Sequence, residues 1–152
     1  MDRKIVLLVH NIRSLWNVGS LFRTADAFAV EKIYLTGYTA VPPRREISKT
    51  ALGAEEWIPW EKHDDQLTVI RTLKEDGYRI VALEQTAEAV DLKEYQPPAR
   101  FCLVLGHEVL GVSKALLEAA DDIVMIPMHG QKESLNVAVA AGIALYQIRS
   151  AV

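Results

Sequence analysis

The residues able to do chemistry fall in three short segments, each at a point where an apolar run gives way to a helical pattern. The first is Asn11-Ile-Arg13-Ser-Leu-Trp-Asn17-Val-Gly19-Ser-Leu-Phe-Arg23-Thr-Ala-Asp26. Asn17 reads as a helix N-cap, Gly19 as a place where another group comes close, and Arg23 lies under two turns further up the helix. A guanidinium there serves either a pocket or partner, or a surface ion pair with Asp26 three residues on. The second segment is Phe101-Cys102-Leu-Val-Leu105-Gly106-His107-Glu108-Val-Leu-Gly111-Val-Ser113. A hydrophobic strand that ends in glycine and turns into a helix is where open α/β sheets bind ligands. Glu108 in that turn suits a carboxylate that accepts backbone N–H groups, Cys102 reads as a buried apolar residue, and His107 has no metal-ligand companion beside it. The third segment is Ile123-Val-Met-Ile126-Pro-Met128-His-Gly130-Gln-Lys-Glu-Ser134-Leu135-Asn136, leading into an Ala-rich helix. The unpaired N–H groups of such a helix start suit a carboxylate, a phosphate or the polar edge of a heterocycle, although Ser-Leu-Asn by itself is a common cap.

Positioning these segments requires short strands alternating with helices, the pattern of a mostly parallel sheet with helices on both faces. Strands are expected at 4–9, 32–36, 56–59, 78–83, 101–105 and 123–126, and helices at 17–28, 45–52, 64–75, 113–119 and 134–149. In the 64–75 helix, Leu67, Val69, Ile70 and Leu73 share one face and Gly77 stands just past the end. The stretch 37–63 is less regular, with Pro42-Pro43 and with Trp57 and Trp60 around Pro59, and irregular connections are where sites sit. Those two tryptophans read as core or interface rather than as platforms for a base. No repeat, linker or composition break divides the chain, so residues 1–152 are read as a single domain.

Of the 152 residues, 50% are apolar and 24% charged, with a formal net charge of −3 and one cysteine, a balance that describes a folded globular chain. One cysteine cannot build a disulfide framework, and the four histidines show no zinc-ligand spacing, so no metal is expected. The longest apolar run, Ile5-Val6-Leu7-Leu8-Val9, is far short of the roughly 20 residues of a membrane helix. No secretory h-region follows Met1, and a cytoplasmic setting is expected. Gly106 and Gly111 are not followed by the Lys-Ser/Thr of a P-loop, and no G-x-G-x-x-G occurs, which leaves ordinary nucleoside-triphosphate and dinucleotide sites unsupported.

Three patterns stand in order along the chain: Asn17-x-Gly-x-x-x-Arg23-Thr-x-Asp-Ala-Phe, Leu-Val-Leu105-Gly106-x-Glu108-x-x-Gly-Val, and Ile126-Pro-Met128-x-Gly-x-x-x-Ser134-Leu135-Asn136-Val-x-Val-Ala. Together they resemble the three motifs of the SpoU/TrmH branch of the SPOUT RNA methyltransferases, from residue 11 to about 147. The resemblance implies S-adenosyl-L-methionine as methyl donor, a ribose 2′-hydroxyl of tRNA or rRNA as acceptor, and a homodimer. It also implies a deep C-terminal trefoil knot, an arrangement that periodicity alone does not reveal. Carried onto this chain, it assigns Asn17, Arg23, Glu108, Ser134 and Asn136 to the catalytic site. It assigns Leu105, Gly106, Ile126, Met128 and Leu135 to the cofactor pocket.

A neutral adenine and a sulfonium ask for apolar walls and a few amide contacts, which those five cofactor residues provide. Methyl transfer needs a hydroxyl held in line and its developing negative charge stabilised, and an arginine that stays protonated suits the second task better than that of a base. Arg3, Lys4, Arg13, Arg44, Arg45 and Lys49 form the local basic surplus for an RNA surface, with Arg44 and Arg45 as the phosphate clamp. Larger relatives carry a separate N-terminal RNA-binding domain, so here the grip on RNA is expected from a dimer or from the 37–63 stretch. The competing readings are a SPOUT enzyme that methylates a base, a knotted RNA- or cofactor-binding subunit without activity, and an unrelated flavodoxin-like nucleotide binder.

Overall fold

The run Ile5-Val6-Leu7-Leu8-Val9 is buried on both sides, with Ile5, Leu7 and Val9 in one apolar cluster and Val6 and Leu8 in another. Successive side chains of a strand point to opposite faces, so an unbroken apolar run belongs at the centre of a sheet covered twice. The computed structural model, which describes residues 2–151, has that arrangement. In chain order the elements are β1 (Lys4–His10), α1 (Leu15–Ala27), β2 (Lys32–Thr36), α2 (Arg45–Ala51), β3 (Trp60–His63), α3 (Gln66–Glu75), β4 (Arg79–Leu83), β5 (Val90–Asp91), β6 (Arg100–Leu105), α4 (Lys114–Ala119), β7 (Asp122–Met125) and α5 (Val137–Ser150).

The strands form one sheet in the order β3-β2-β1-β6-β4-β7-β5, and every pairing is parallel. Apolar residues of α1, α2 and α5 pack on the face that carries Ile5, Leu7, Val9, Leu103 and Leu105. Those of α3 and α4 pack on the face that carries Val6, Leu8, Cys102 and Val104. Every chain end that leaves a strand therefore emerges at one edge of the sheet. The strand order reverses between β1 and β6, which places the 11–14 and 106–113 connections side by side.

Most expected elements are present close to their expected bounds, and several readings are corrected. The strand expected at 56–59 is a 3₁₀ turn at Ala54–Glu56 followed by Pro59, and the pairing strand begins at Trp60, opposite Ile33. Helix α1 is capped by Ser14, whose side chain accepts the Asn17 amide, so Asn17 lies inside the first turn and is not the cap. Arg3, counted among surface cations, is only 4% exposed and donates to the carbonyls of Pro97, Ile148 and Ala151, tying the chain's two ends together. The short β5 had no apolar run to announce it. Leu67 is the one member of the expected α3 face left exposed, while Val69, Ile70 and Leu73 are buried. Trp60 packs partly buried against the core, whereas Trp57 is exposed and donates from Nε1 to Asp26 Oδ1 at 2.7 Å.

Gly19 is buried where α1 crosses α2, and a Cβ there would collide with Thr50 Oγ1 and the Ile47 carbonyl. Alanine gains up to about 1 kcal/mol over glycine in a helix, but overpacking against a backbone carbonyl costs about 1–3 kcal/mol. The collision decides the sign. Gly19→Ala should lower the urea midpoint of unfolding, and an unchanged or raised midpoint would show that α2 yields freely.

Candidate active site

Glu108 projects from the turn after β6 to the start of α1. Its Oε1 accepts the Arg13 amide at 3.0 Å, and its Oε2 accepts the Ser14 amide at 2.8 Å and Asn17 Nδ2 at 3.2 Å. The N–H groups at a helix start have no partner of their own, and a carboxylate is favoured there by the helix dipole. Glu108 thus does what its position in the turn suggested, on a neighbouring segment. Because a carboxylate only accepts, it fixes the orientation of the Asn17 amide, which turns Oδ1 toward Asn136. Asn136 Nδ2 donates to that oxygen at 3.1 Å, and Asn136 Oδ1 accepts the amides of Ala138 and Val139, capping α5. One polar relay therefore joins the three segments across sequence separations of 91 and 119 residues.

The 107–111 turn is closed by its own hydrogen bonds. His107 and Gly111 exchange backbone hydrogen bonds, and His107 Nδ1 accepts the amides of Val109 and Leu110 at 2.9 and 3.0 Å. Gly111 has φ +76°, and a Cβ at Gly106 would collide with the backbone of Gly111 and Val112, so both glycines are required for the turn to fold back on the strand end. Cys102 is fully buried and its thiol is pushed far up by desolvation, as expected of an inert core residue.

Beside the relay lies a cavity of about 470 Å³ between the ends of β4, β6 and β7. All five residues assigned to a cofactor pocket line it: Leu105, Gly106, Ile126, Met128 and Leu135. Glu108 and Ser134 also face it. Asn17, Asn136 and Arg23 are not in its lining; the first two stand behind Glu108 in the relay. Arg23 is exposed on α1 and has no ion pair with Asp26, whose carboxylate is engaged by Trp57. Arg13, Arg44, Arg45 and Lys49 are exposed; Arg44 pairs with Glu46 at 3.6 Å, and Lys49 lies over the Trp16 ring. Among the described residues no group of His, Cys, Asp and Glu is placed to hold a metal ion.

Sequence reasoning passed over Glu84, Gln85 and Thr86, which come directly after β4 and line the same cavity. Thr86 Oγ1 is buried there without a hydrogen-bond partner. No local pattern marks these residues, because their role arises only when β4 is inserted between β6 and β7.

The sequence profile of the SpoU rRNA Methylase family matches residues 4–146. The chain belongs to this family. Among SpoU relatives, a tRNA (guanosine(18)-2′-O)-methyltransferase of Aquifex aeolicus is 34% identical over 147 residues, covering 96% of this chain and 69% of its own. The 23S rRNA (guanosine(2553)-2′-O)-methyltransferase RlmP of Bacillus subtilis is 34% identical over 146 residues, covering 95% of this chain and 57% of its own. A crystal structure of an AdoMet-bound rRNA methyltransferase from Sinorhizobium meliloti superposes with a TM-score of 0.90 at 29% identity, covering 98% of this chain and 57% of that one. The chain thus spans between about half and two thirds of the length of these SpoU proteins.

Burial alone would push the Glu108 carboxyl up, but the amides of Arg13 and Ser14 and the Asn17 side chain together outweigh it and hold its pKa below the usual 4.5. A depressed folded pKa contributes stability that is fully present above the unfolded value and is lost as pH falls through the folded one. Glu108→Gln should therefore destabilise at neutral pH and progressively less in acid. Urea midpoints of the two proteins should converge between about pH 5 and pH 3; parallel curves would remove the charge of Glu108 from the account.

Proposed function

We propose that this chain transfers a methyl group from S-adenosylmethionine to a ribose 2′-hydroxyl of tRNA or rRNA, working as a homodimer in the cytoplasm. The observation that carries the reading is the single relay Glu108–Asn17–Asn136, which gathers three distant segments beside one cavity. That cavity suits the methyl donor. Leu83, Leu105, Ile126, Met128 and Leu135 offer apolar walls for a neutral heterocycle, and the unpartnered Thr86 hydroxyl offers a polar contact. Bound there, the donor supplies a methyl group on a positively charged sulfur.

The protein's own task is positioning and charge stabilisation. As the oxygen–carbon bond forms and the carbon–sulfur bond breaks, the 2′-hydroxyl loses its proton to solvent or to a neighbouring group. Arg23 stays protonated, so its role in this reading is to hold the ribose phosphate and to stabilise the developing oxyanion. Glu108 and Asn17 keep the first turn of α1 fixed, and Ser134 and Asn136 shape the junction between cofactor and RNA. The exposed Val139, Ile143 and Tyr146 recur along one face of α5, and Trp16 is exposed on α1. An apolar groove of about 730 Å³, lined in part by Pro127, Ile143 and Tyr146, continues that face. An exposed apolar face of this kind supports the dimer, and Thr24, next to Arg23, lies against Gly142 of α5. The α5 face thus brings Arg23 to the edge of the proposed interface. The trefoil knot belongs to the same reading, supported by the path of the 126–136 segment past the ends of β4 and β6 before α5 returns to α1.

RNA is held, in this reading, by Arg13, Arg44, Arg45 and Lys49. Lys49 lies over the ring of Trp16, next in sequence to Asn17 of the relay, which supports this placement. Removing a cation that binds a phosphate should flatten the salt dependence of RNA affinity by about one unit of log–log slope. Arg44→Ala with Arg45→Ala, which removes two, should flatten it by about two units in filter-binding titrations; an unchanged slope would move the RNA surface elsewhere.

The direct test is incubation with labelled S-adenosylmethionine and bulk RNA. Label in alkali-resistant dinucleotides marks a blocked 2′ position, whereas label in bases identifies a base methyltransferase and no label a binding subunit. Arg23→Ala should reduce turnover by about 10²-fold or more while leaving cofactor affinity unchanged. Normal turnover would take Arg23 out of the mechanism.

A further inference from the structure

The two walls of the cavity come from separate segments, 105–112 after β6 and 126–136 after β7, and β4 lies between those strands in the sheet. Residues at the end of β4 can therefore set the distance between the walls. Glu84 reaches one of them: its Oε2 accepts the Val112 amide at 2.8 Å, while its Oε1 accepts the amide of Gln85 at 2.8 Å. A Cβ on Gly111 would collide with this carboxylate, so glycine at 111 admits Glu84 as well as the turn. Gln85 reaches the other wall, donating from Nε2 to the Ile126 carbonyl at 2.6 Å, where β7 gives way to the loop toward Ser134. The Glu84 amide donates to the Val124 carbonyl and anchors the pair to β7.

We propose that Glu84 and Gln85 are positioning residues that hold the two walls of the cavity at the separation its ligand requires, each residue gripping one wall. This rests on the reading of the cavity as an S-adenosylmethionine site. Val112 is nearly buried, so removing its acceptor leaves an N–H unpaired and frees the turn that carries Glu108. The grip of Gln85 is independent of this one, since it acts through a neutral amide on a different segment. Both oxygens of Glu84 are engaged, by the Val112 and Gln85 amides, and the Gln85 Nε2 is engaged by Ile126.

The test uses the full chain with Glu84→Ala, Glu84→Gln and Gln85→Ala, read by hydrogen exchange of the free protein and by calorimetric titration with S-adenosylmethionine. Glu84→Ala should speed exchange in 107–112, Gln85→Ala should speed it in 126–136, and α3 should be unaffected in both. Each should weaken S-adenosylmethionine binding, Glu84→Ala about tenfold and Gln85→Ala, whose bond to Ile126 is exposed, about threefold. Glu84→Gln, which keeps an oxygen for the Val112 amide but sets an NH2 against the Gln85 amide, should recover part of that affinity; a residue acting only on global stability would show neither the segment pattern nor the recovery. Unchanged exchange at both walls overturns the proposal, as does faster exchange with undiminished affinity. If Glu84→Ala does not fold, Glu84→Gln and Gln85→Ala carry the same comparison. If the wild-type chain binds no S-adenosylmethionine, the cofactor reading falls, and the exchange pattern alone then decides whether the pair grips the walls.

Discussion

The site depends on the Glu108 carboxylate accepting the first free amides of α1. The amides of Arg13 and Ser14 and the side chain of Asn17 converge on it, and no backbone carbonyl of α1 itself can serve groups at a helix start. Meeting that need with a residue from the turn after β6 couples two segments that the chain separates by more than ninety positions. Asn17 then passes the constraint to Asn136, and Asn136 to the start of α5. Each donor faces an acceptor, so turning any one amide over would leave like atoms opposed at the next step. Directional matching, more than the strength of any single bond, is what orders the relay.

The sheet makes this convergence possible. With all strands parallel, the connections after β1, β4, β6 and β7 emerge at one edge. The strand order reverses between β1 and β6, the general position of ligand sites in open α/β sheets. The cavity lies one strand further along, between β6 and β7 across the end of β4. The cavity and the start of α1 are thereby set next to each other and joined through Glu108. Small residues on α5, Ala141 and Ala144, are fully buried and let that helix lie close beneath its neighbours.

Much of this architecture was legible because burial on both faces of a parallel sheet leaves a strong mark in sequence. The runs at β1, β2, β4 and β6 are largely apolar, and their positions could be read directly. Marks were weakest where burial is partial. Trp60–His63 pairs at the sheet edge with mixed composition, and Val90–Asp91 is too short to carry a period. The Asn17 reading failed for a related reason. Ser14 and Asn17 are both good capping residues, and the winner was set by where the chain leaves β1, with Glu108 then taking the side chain that Asn17 would have used as a cap. Arg3 was misread because a cation near a chain end is ordinarily solvated, whereas here three carbonyls from distant segments surround it.

The residues of the pocket were assigned by family resemblance; by itself the sequence determined the alternation of strand and helix and the three segments that carry the polar residues. Those properties are local: they depend on side-chain period, on glycine at tight turns and on the chemistry of single residues. Only the tertiary structure decided that Glu108 serves the start of α1, that Asn17 faces Asn136, and that Glu84 and Gln85 touch opposite walls of one cavity. These are pairings of hydrogen-bond donors with acceptors far apart in the chain. A residue's type states what it can bond to, but the partner is chosen by strand order, which places the end of β4 between those of β6 and β7.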